Sequence, residues 1–390
     1  MKVRKRLIQG FIIMFVALLC FPDIKIYDKK SNVEKIARME NRMINPLPIS
    51  FPWEKTFYSQ LEGWFQDRIN KRDSLIRYWR GLNACIGVAL SKKIFFNDAR
   101  TWMFSRENFI TGIKGKNEKF TAIKQVQEYC TKQDIAFAVA FPPTKEAVYR
   151  DLFPKKEQEN TWDTLQVEAE LQKNVKEYGL NYISLADTVL KSKQKGDHEL
   201  YFRDDHHWSY YSAELAADEI LGYFLGNDYQ RANFNKVRKN VYKENSYSNE
   251  IDFGQIYGTI APWSDSFTTN LEVQDCYTGK LLVYNNMISN DYLWEKITTG
   301  EGIVYNKKAP INKTMLILGD SYSSYQVPYF SQYLTKVIST HHSVHYAPKK
   351  NVDMVELMKK YKPDMVLFQV YSAIFCYNPP TMFENIVIKE

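Results

Sequence analysis

The chain reads as an α/β protein: a parallel sheet with helices packed on its flanks. Three observations predict this. Ile135–Phe141, Met315–Leu318 and Met365–Val370 are near-continuous apolar runs, the pattern of strands buried on both faces rather than of half-exposed alternating ones. Helical stretches separate the runs, as parallel strands require of their connections. Finally, 390 residues with 45% hydrophobic and 25% charged side chains are enough for one large or two modest cores, which excludes a disordered chain.

The N-terminus precedes that body. Lys2, Arg4, Lys5 and Arg6 stand before the apolar run Leu7 to Phe21, a basic region followed by a hydrophobic region of signal-sequence length. No small-residue cleavage site follows in Pro22-Asp23-Ile24-Lys25, and Leu18-Leu19-Cys20 lacks the small residue of a lipobox. Residues 1–25 are therefore expected to be an uncleaved signal anchor. Flanking residues would extend it toward the roughly twenty that a bilayer needs. Basic residues on the N-terminal side place the chain's body outside the cytoplasm, periplasmic or at the cell surface. Residues 26–50, ending in Asn45-Pro46-Leu47-Pro48, read as a linker.

One domain then occupies 51–390. Tyr58, Leu61, Phe65, Ile69 and Leu75-Ile76 recur at helical spacing, so 54–88 is expected to be helical with Trp64 and Trp79 partly buried. Five strands are expected, at Ile135–Phe141, Asn181–Leu185, Met315–Leu318, Val344–Ala347 and Met365–Val370, with a helix over Asp353–Tyr361. Residues 228–310 are rich in Asn, Tyr, Thr and Ser with short stretches such as Leu281-Leu282-Val283-Tyr284, and read as a strand-rich insertion beside the functional face.

The chemistry is carried by two motifs. Gly319-Asp320-Ser321 ends the run Met315–Leu318, which places a serine hydroxyl where a buried strand breaks into a loop, a position α/β enzymes use for a nucleophile. Upstream stands Asp204-Asp205-His206-His207-Trp208. In an extended segment side chains at i and i+2 share a face, so Asp205 and His207 project together and His206 points away. His207 would take the proton of Ser321, and Asp205 would fix its tautomer.

These residues resemble the alginate O-acetyltransferase family, typified by AlgJ and AlgX, and its DHHW relatives. Glu40-Asn41-Arg42, Trp64-Phe65-Gln66-Asp67-Arg68, Trp102-Met103-Phe104 and Pro142-Pro143-Thr144-Lys145 extend the resemblance over roughly residues 36 to 375. The resemblance implies an SGNH-hydrolase-like fold and a catalytic triad of Asp205, His207 and Ser321. It implies O-acetyl transfer to an exported polysaccharide, with a membrane-bound O-acyltransferase as the partner that supplies acetyl groups and with no cofactor. The acid and base precede the serine, so the motif order is circularly permuted relative to other SGNH enzymes. Those enzymes place the acid three residues before the base, so Asp204 also fits; the Asp-x-His-Trp pattern favours Asp205. Where the last strand of relatives carries an acidic residue and an arginine, this chain has Phe368-Gln369-Val370-Tyr371-Ser372. Gln369 and Tyr371 are the expected substrate contacts on that edge, joined by Trp208 and by Lys145 at a strand end. A carbohydrate acetylesterase, or a non-catalytic subunit of an envelope polysaccharide complex, are the alternative readings.

Other classes are disfavoured. The net charge of +7 arises partly from the N-terminal cluster, and no long basic run or basic-aromatic pattern suggests nucleic acid. Cys20, Cys85, Cys130, Cys276 and Cys376 have no Cys-x-x-Cys spacing and are too few for a disulfide framework. His341-His342-x-x-His345 sits at the expected entry to a strand, where its outer histidines stand too far apart to share one metal ion. No metal is expected.

Overall fold

A computed structural model describes residues 56–66, 94–99, 102–109, 112–160, 164–196, 199–203, 206–226, 229, 302–306, 309–340 and 352–377, with short strands at 238–239, 272–274, 281–283, 292–296 and 386–387. The chain divides into two compact units, one of Met1–Lys92 with Glu250–Pro262 and one of the remainder. In the first, Phe57–Gln66 forms a helix with Trp64 half-buried, as the helical spacing predicts. The expected anchor, the linker, Trp79 and the sequence around Glu40 lie outside the described residues.

The second unit is built on a mixed sheet of seven strands, labelled here in chain order: β1 (Ala136–Ala140), β2 (Tyr182–Ile183), β3 (Tyr292–Lys296), β4 (Gly302–Asn306), β5 (Ile311–Gly319), β6 (Leu334–Ser339) and β7 (Met365–Gln369). Their spatial order is β2-β1-β7-β5-β6-β4-β3. Pairing is parallel from β2 through β6 and antiparallel where β4 and β3 extend the edge. The central strands are apolar because both faces are covered. Met315 through Leu318 and Val366 through Phe368 are all fully buried, which is the environment that continuous runs without alternation require.

Four of the five expected strands form. The fifth strand of the parallel set is Leu334–Ser339, whose Thr335 and Lys336 break the apolar pattern, whereas Val344–Ala347 lies outside the described residues. The expected insertion also divides. Its end, Tyr292–Lys296 and Gly302–Asn306, belongs to the main sheet, paired through β6, while Leu281–Val283 joins a separate three-stranded sheet. The helix expected near the C-terminus forms at Met354–Tyr361, with Met354, Val355, Leu357, Met358 and Tyr361 turned to the core.

Register sets the functional edge. Gly319 pairs with Gln369, Gln369 with Ala140, and Ala140 with Ile183. Four parallel strands therefore end level, and the loops that leave them, including Asp320-Ser321, Val370-Tyr371 and Pro142–Thr144, gather outside their carboxyl ends, where open α/β sheets form their sites. The bond from Ser372 N–H to the Pro142 carbonyl at 3.0 Å ties two of those loops together. A small antiparallel pair, Ile94–Phe96 with Met103–Ser105, adds a cluster in which Phe95, Phe104 and Phe153 meet edge-on and stacked with centroids about 5 Å apart, the separations such rings favour.

Candidate active site

Ser321 stands at the first turn after β5. Asp320 is extended and caps the short helix Ser321–Ser324, its Oδ1 accepting the N–H of Tyr322 at 3.0 Å. Glycine is required at 319 for space rather than for φ. A Cβ there would lie 2.6 Å from Ser323 Oγ and 3.1 Å from the Gln369 carbonyl oxygen, and Ser323 Oγ is committed to the Asp320 carbonyl at 2.7 Å. The absent side chain lets the strand turn tightly and present the serine.

His207 arrives from a loop that many bonds hold. Tyr201 and Trp208 form an antiparallel bridge, Phe202 N–H donates to the His207 carbonyl at 3.2 Å, and Ser209 N–H donates to the Leu200 carbonyl at 2.9 Å. The chain then enters the helix Tyr210–Leu225, capped by Ser209. From below, Lys145 Nζ donates to the Phe202 and Arg203 carbonyls, each at 2.8 Å, and Tyr201 hydroxyl donates to the Pro143 carbonyl at 2.6 Å. These constraints bring His207 Nε2 to 2.6 Å from Ser321 Oγ, across 114 residues of sequence. This is the hydrogen-bonded nucleophile–base pair that serine catalysis needs.

Asp204 and Asp205, the carboxylates expected to orient His207, both lie outside the described residues. The extended geometry expected through this cluster does not hold at His206, whose ring centroid is 4.0 Å from that of His207. Adjacent side chains of a strand point apart, so the backbone bends here, and His206 faces the same side as the base.

Asp320 contributes a second carboxylate. Its Oδ1 and Oδ2 accept the N–H groups of Tyr322 and Tyr371 at 3.0 and 2.6 Å. Burial pushes its carboxyl up to about 6, against the pull of those two donors and of His207 and His206. Burial likewise pushes the phenols of Tyr322 and Tyr371 well upward, so both rings stay neutral.

The four expected substrate contacts are all buried. Trp208 is fully enclosed, its indole N–H donating to the Tyr322 carbonyl at 3.2 Å. Lys145 is enclosed between Trp102 and Phe104 as well as the loop carbonyls it binds. Gln369 is inside the sheet, and Tyr371 stacks on Tyr322 with centroids 4.4 Å apart. All four are closed off from solvent and pack beneath the loops that carry Ser321 and His207. The half-buried side chains at the surface of the site are instead Ser321, His206, His207 and Tyr325, with the Tyr325 ring 5.4 Å from His207. Sequence reasoning misses Asp320, Tyr322 and Tyr325. Their proximity to Ser321 in the chain is the available signal.

Among the described residues no group of three His, Cys, Asp or Glu side chains is placed to hold a metal, and His341, His342 and His345 lie outside them. Cys130 and Cys376 are free and buried; Cys20, Cys85 and Cys276 also lie outside. No described helix is long and apolar enough to cross a membrane.

Comparison with known proteins agrees with this architecture. Residues 98–251 match the family described as SGNH hydrolase-like domain, acetyltransferase AlgX; the match takes in His207 and ends before Ser321. Bacillus cereus PatB1, solved with a sulfonyl adduct, is similar at 18% identity and a TM-score of 0.51, over 75% of this chain and 97% of that one. A DHHW family protein from Eubacterium siraeum is similar at 13% identity and a TM-score of 0.51, over 76% of this chain and 96% of that one. No curated protein matches the chain significantly. Residues 98–251 are thus similar to an SGNH hydrolase-like domain of the AlgX type, and the solved structures share the α/β fold of this chain.

Proposed function

We propose that the protein is an O-acetyltransferase that acetylates an exported polysaccharide through a covalent serine intermediate. The observation that carries this reading is the 2.6 Å contact between His207 Nε2 and Ser321 Oγ at the carboxyl edge of a parallel sheet. Ser321 Oγ attacks the acetyl carbonyl carbon while its proton passes to His207 Nε2. The bond to the donor's leaving oxygen breaks, and that oxygen takes the proton from His207. A sugar hydroxyl then attacks the acetyl-serine, gives its proton to His207, and Ser321 recovers that proton as it leaves. Asp205 is the proposed acceptor for the Nδ1 proton of His207.

The half-buried rings of His206 and Tyr325 beside the pair offer faces against which a sugar can pack. The AlgX description of the matched family supports acetyl as the group transferred. A membrane-bound O-acyltransferase as acetyl supplier and an N-terminal anchor at residues 1–25 complete the proposal, because acetyl donors are made in the cytoplasm and the anchor would hold this site near its supply. Acetylester hydrolysis is the second reading, favoured by one observation: Ser321 is only half-buried, so water can reach an acyl-enzyme there.

The test has two parts. Treatment with a sulfonyl fluoride, followed by peptide mass spectrometry, is expected to modify Ser321; PatB1 has been solved with a sulfonyl adduct. Incubation with an acetyl donor and an oligosaccharide acceptor is expected to give acetylated sugar by NMR. Acetate alone would select the esterase, and an unmodified Ser321 without turnover would leave a non-catalytic subunit.

A further inference from the structure

We infer that Tyr322 is a positioning residue whose hydroxyl sets the distance between Ser321 and His207. Those two residues come from segments far apart in sequence, and the strand turn that presents Ser321 has no means of locating His207 by itself. Two hydrogen bonds cross between the segments through Tyr322. Its hydroxyl donates to the His206 carbonyl at 2.5 Å, and its own carbonyl accepts the indole N–H of Trp208 at 3.2 Å. They bracket His207, one on each side. The His206 carbonyl belongs to the peptide unit that joins it to His207, so a shift of that oxygen is carried directly to the Cα of the base.

The phenol is well fixed for this task. Its ring lies nearly parallel to that of Tyr371, with centroids 4.4 Å apart and planes 12° from parallel, and meets Trp208 edge-on at 5.2 Å. Its backbone N–H is tied to Asp320. Burial raises the phenol far above its ordinary range, so the hydroxyl remains a donor at every working pH. Tyr322 is fully buried and does not meet the substrate, hence it acts through His207. An acyl acceptor therefore finds the base already placed, which matters because a misplacement near 1 Å can cost on the order of 10² in rate.

The inference rests on the serine mechanism proposed above, and one experiment separates the two. kcat and KM for a chromogenic acetyl ester, and the rate of inactivation by a sulfonyl fluoride, are measured for the wild type, Ser321→Ala, Tyr322→Phe, Trp208→Phe and the double variant that combines Tyr322→Phe with Trp208→Phe, well below each melting temperature. Tyr322→Phe keeps the ring and its stacking and deletes one hydroxyl. It is expected to lower kcat about 10- to 100-fold with KM within about twofold, and to slow inactivation by the same factor. Trp208→Phe is expected to act in the same direction, and the double variant to lose less than the product of the two, because both bonds hold one loop. Lowered stability with unchanged kcat would mark a merely structural role. A Tyr322→Phe kcat within about twofold of wild type overturns the inference. If that variant does not fold, the same result for Trp208→Phe overturns it. Wild-type turnover by Ser321→Ala would overturn the serine mechanism instead.

Discussion

The Oδ2 atom of Asp320 accepts the backbone N–H of Tyr371 at 2.6 Å, joining the loop after β5 to the loop after β7. Because Asp320 is buried, its carboxyl is pushed from 3.8 up to about 6. The folded protein therefore holds this proton more tightly than the unfolded chain. The stabilisation is complete below about pH 4 and is lost as pH rises through about 6. Relative to Asp320→Asn, which cannot titrate there, the wild type should gain stability as pH falls from 7 to 4, by at most about 3 kcal/mol for a rise of about two pH units. Urea denaturation of both proteins at several pH values checks this; a constant difference between them would show that Asp320 is ionised across the range.

Ser321→Ala and His207→Ala are each expected to abolish acetyl-ester turnover while leaving the fold intact, since neither side chain is part of the buried core. The double variant should be scarcely worse than either single one, because the two act as a unit. Steady-state kinetics and circular dichroism check both statements, and multiplicative losses would separate the two residues into independent roles.

Asp205→Asn is expected to lower kcat by on the order of 10⁴, and Asp204→Asn to be mild, because only the acid that fixes the tautomer of His207 is critical. The bend at His206 sharpens this test. Extended geometry is what would put Asp205 on the face of His207, and the 4.0 Å approach of the His206 and His207 rings shows a bend at these two histidines. A reversed ranking would place Asp204, three residues before the base, under the imidazole.

Gly319→Ala should destabilise the protein by about 1–3 kcal/mol, the usual range for overpacking, and lower kcat/KM as well. The added methyl would press within 2.6 Å of Ser323 Oγ, and Ser323 belongs to the same short helix as Ser321. Thermal melting and ester hydrolysis read the two effects. Wild-type values for both would mean that the turn relaxes freely.

Legibility follows the range of the interactions. The strand segments Phe137–Ala140, Met315–Leu318 and Met365–Phe368 are plain in the sequence because burial on both faces imposes an unbroken apolar run on the residues themselves. Leu334–Ser339 is not, since Thr335 and Lys336 interrupt its pattern and its place in the sheet comes from pairing with β5 and β4. Ser321 and His207 are legible as residue types in local motifs. The supports are not: Lys145 looks like a ligand contact beside a strand end, and only the folded chain shows its ammonium spent on the carbonyls of Phe202 and Arg203.

By itself the sequence determined the parallel core of an α/β sheet, the helix at Met354–Tyr361, and a serine and a histidine of suitable chemistry, because periodicity, turn residues and side-chain type are properties of short segments; the antiparallel strands that make the sheet mixed were not legible. The tertiary structure alone decided that Ser321 and His207 meet at 2.6 Å, that the histidine pair faces one way, and that Trp208, Lys145, Gln369 and Tyr371 are buried. Those are relations between segments separated by up to 226 positions, from Lys145 to Tyr371. Chain closure, strand register and burial fix such relations jointly, and no local pattern encodes them.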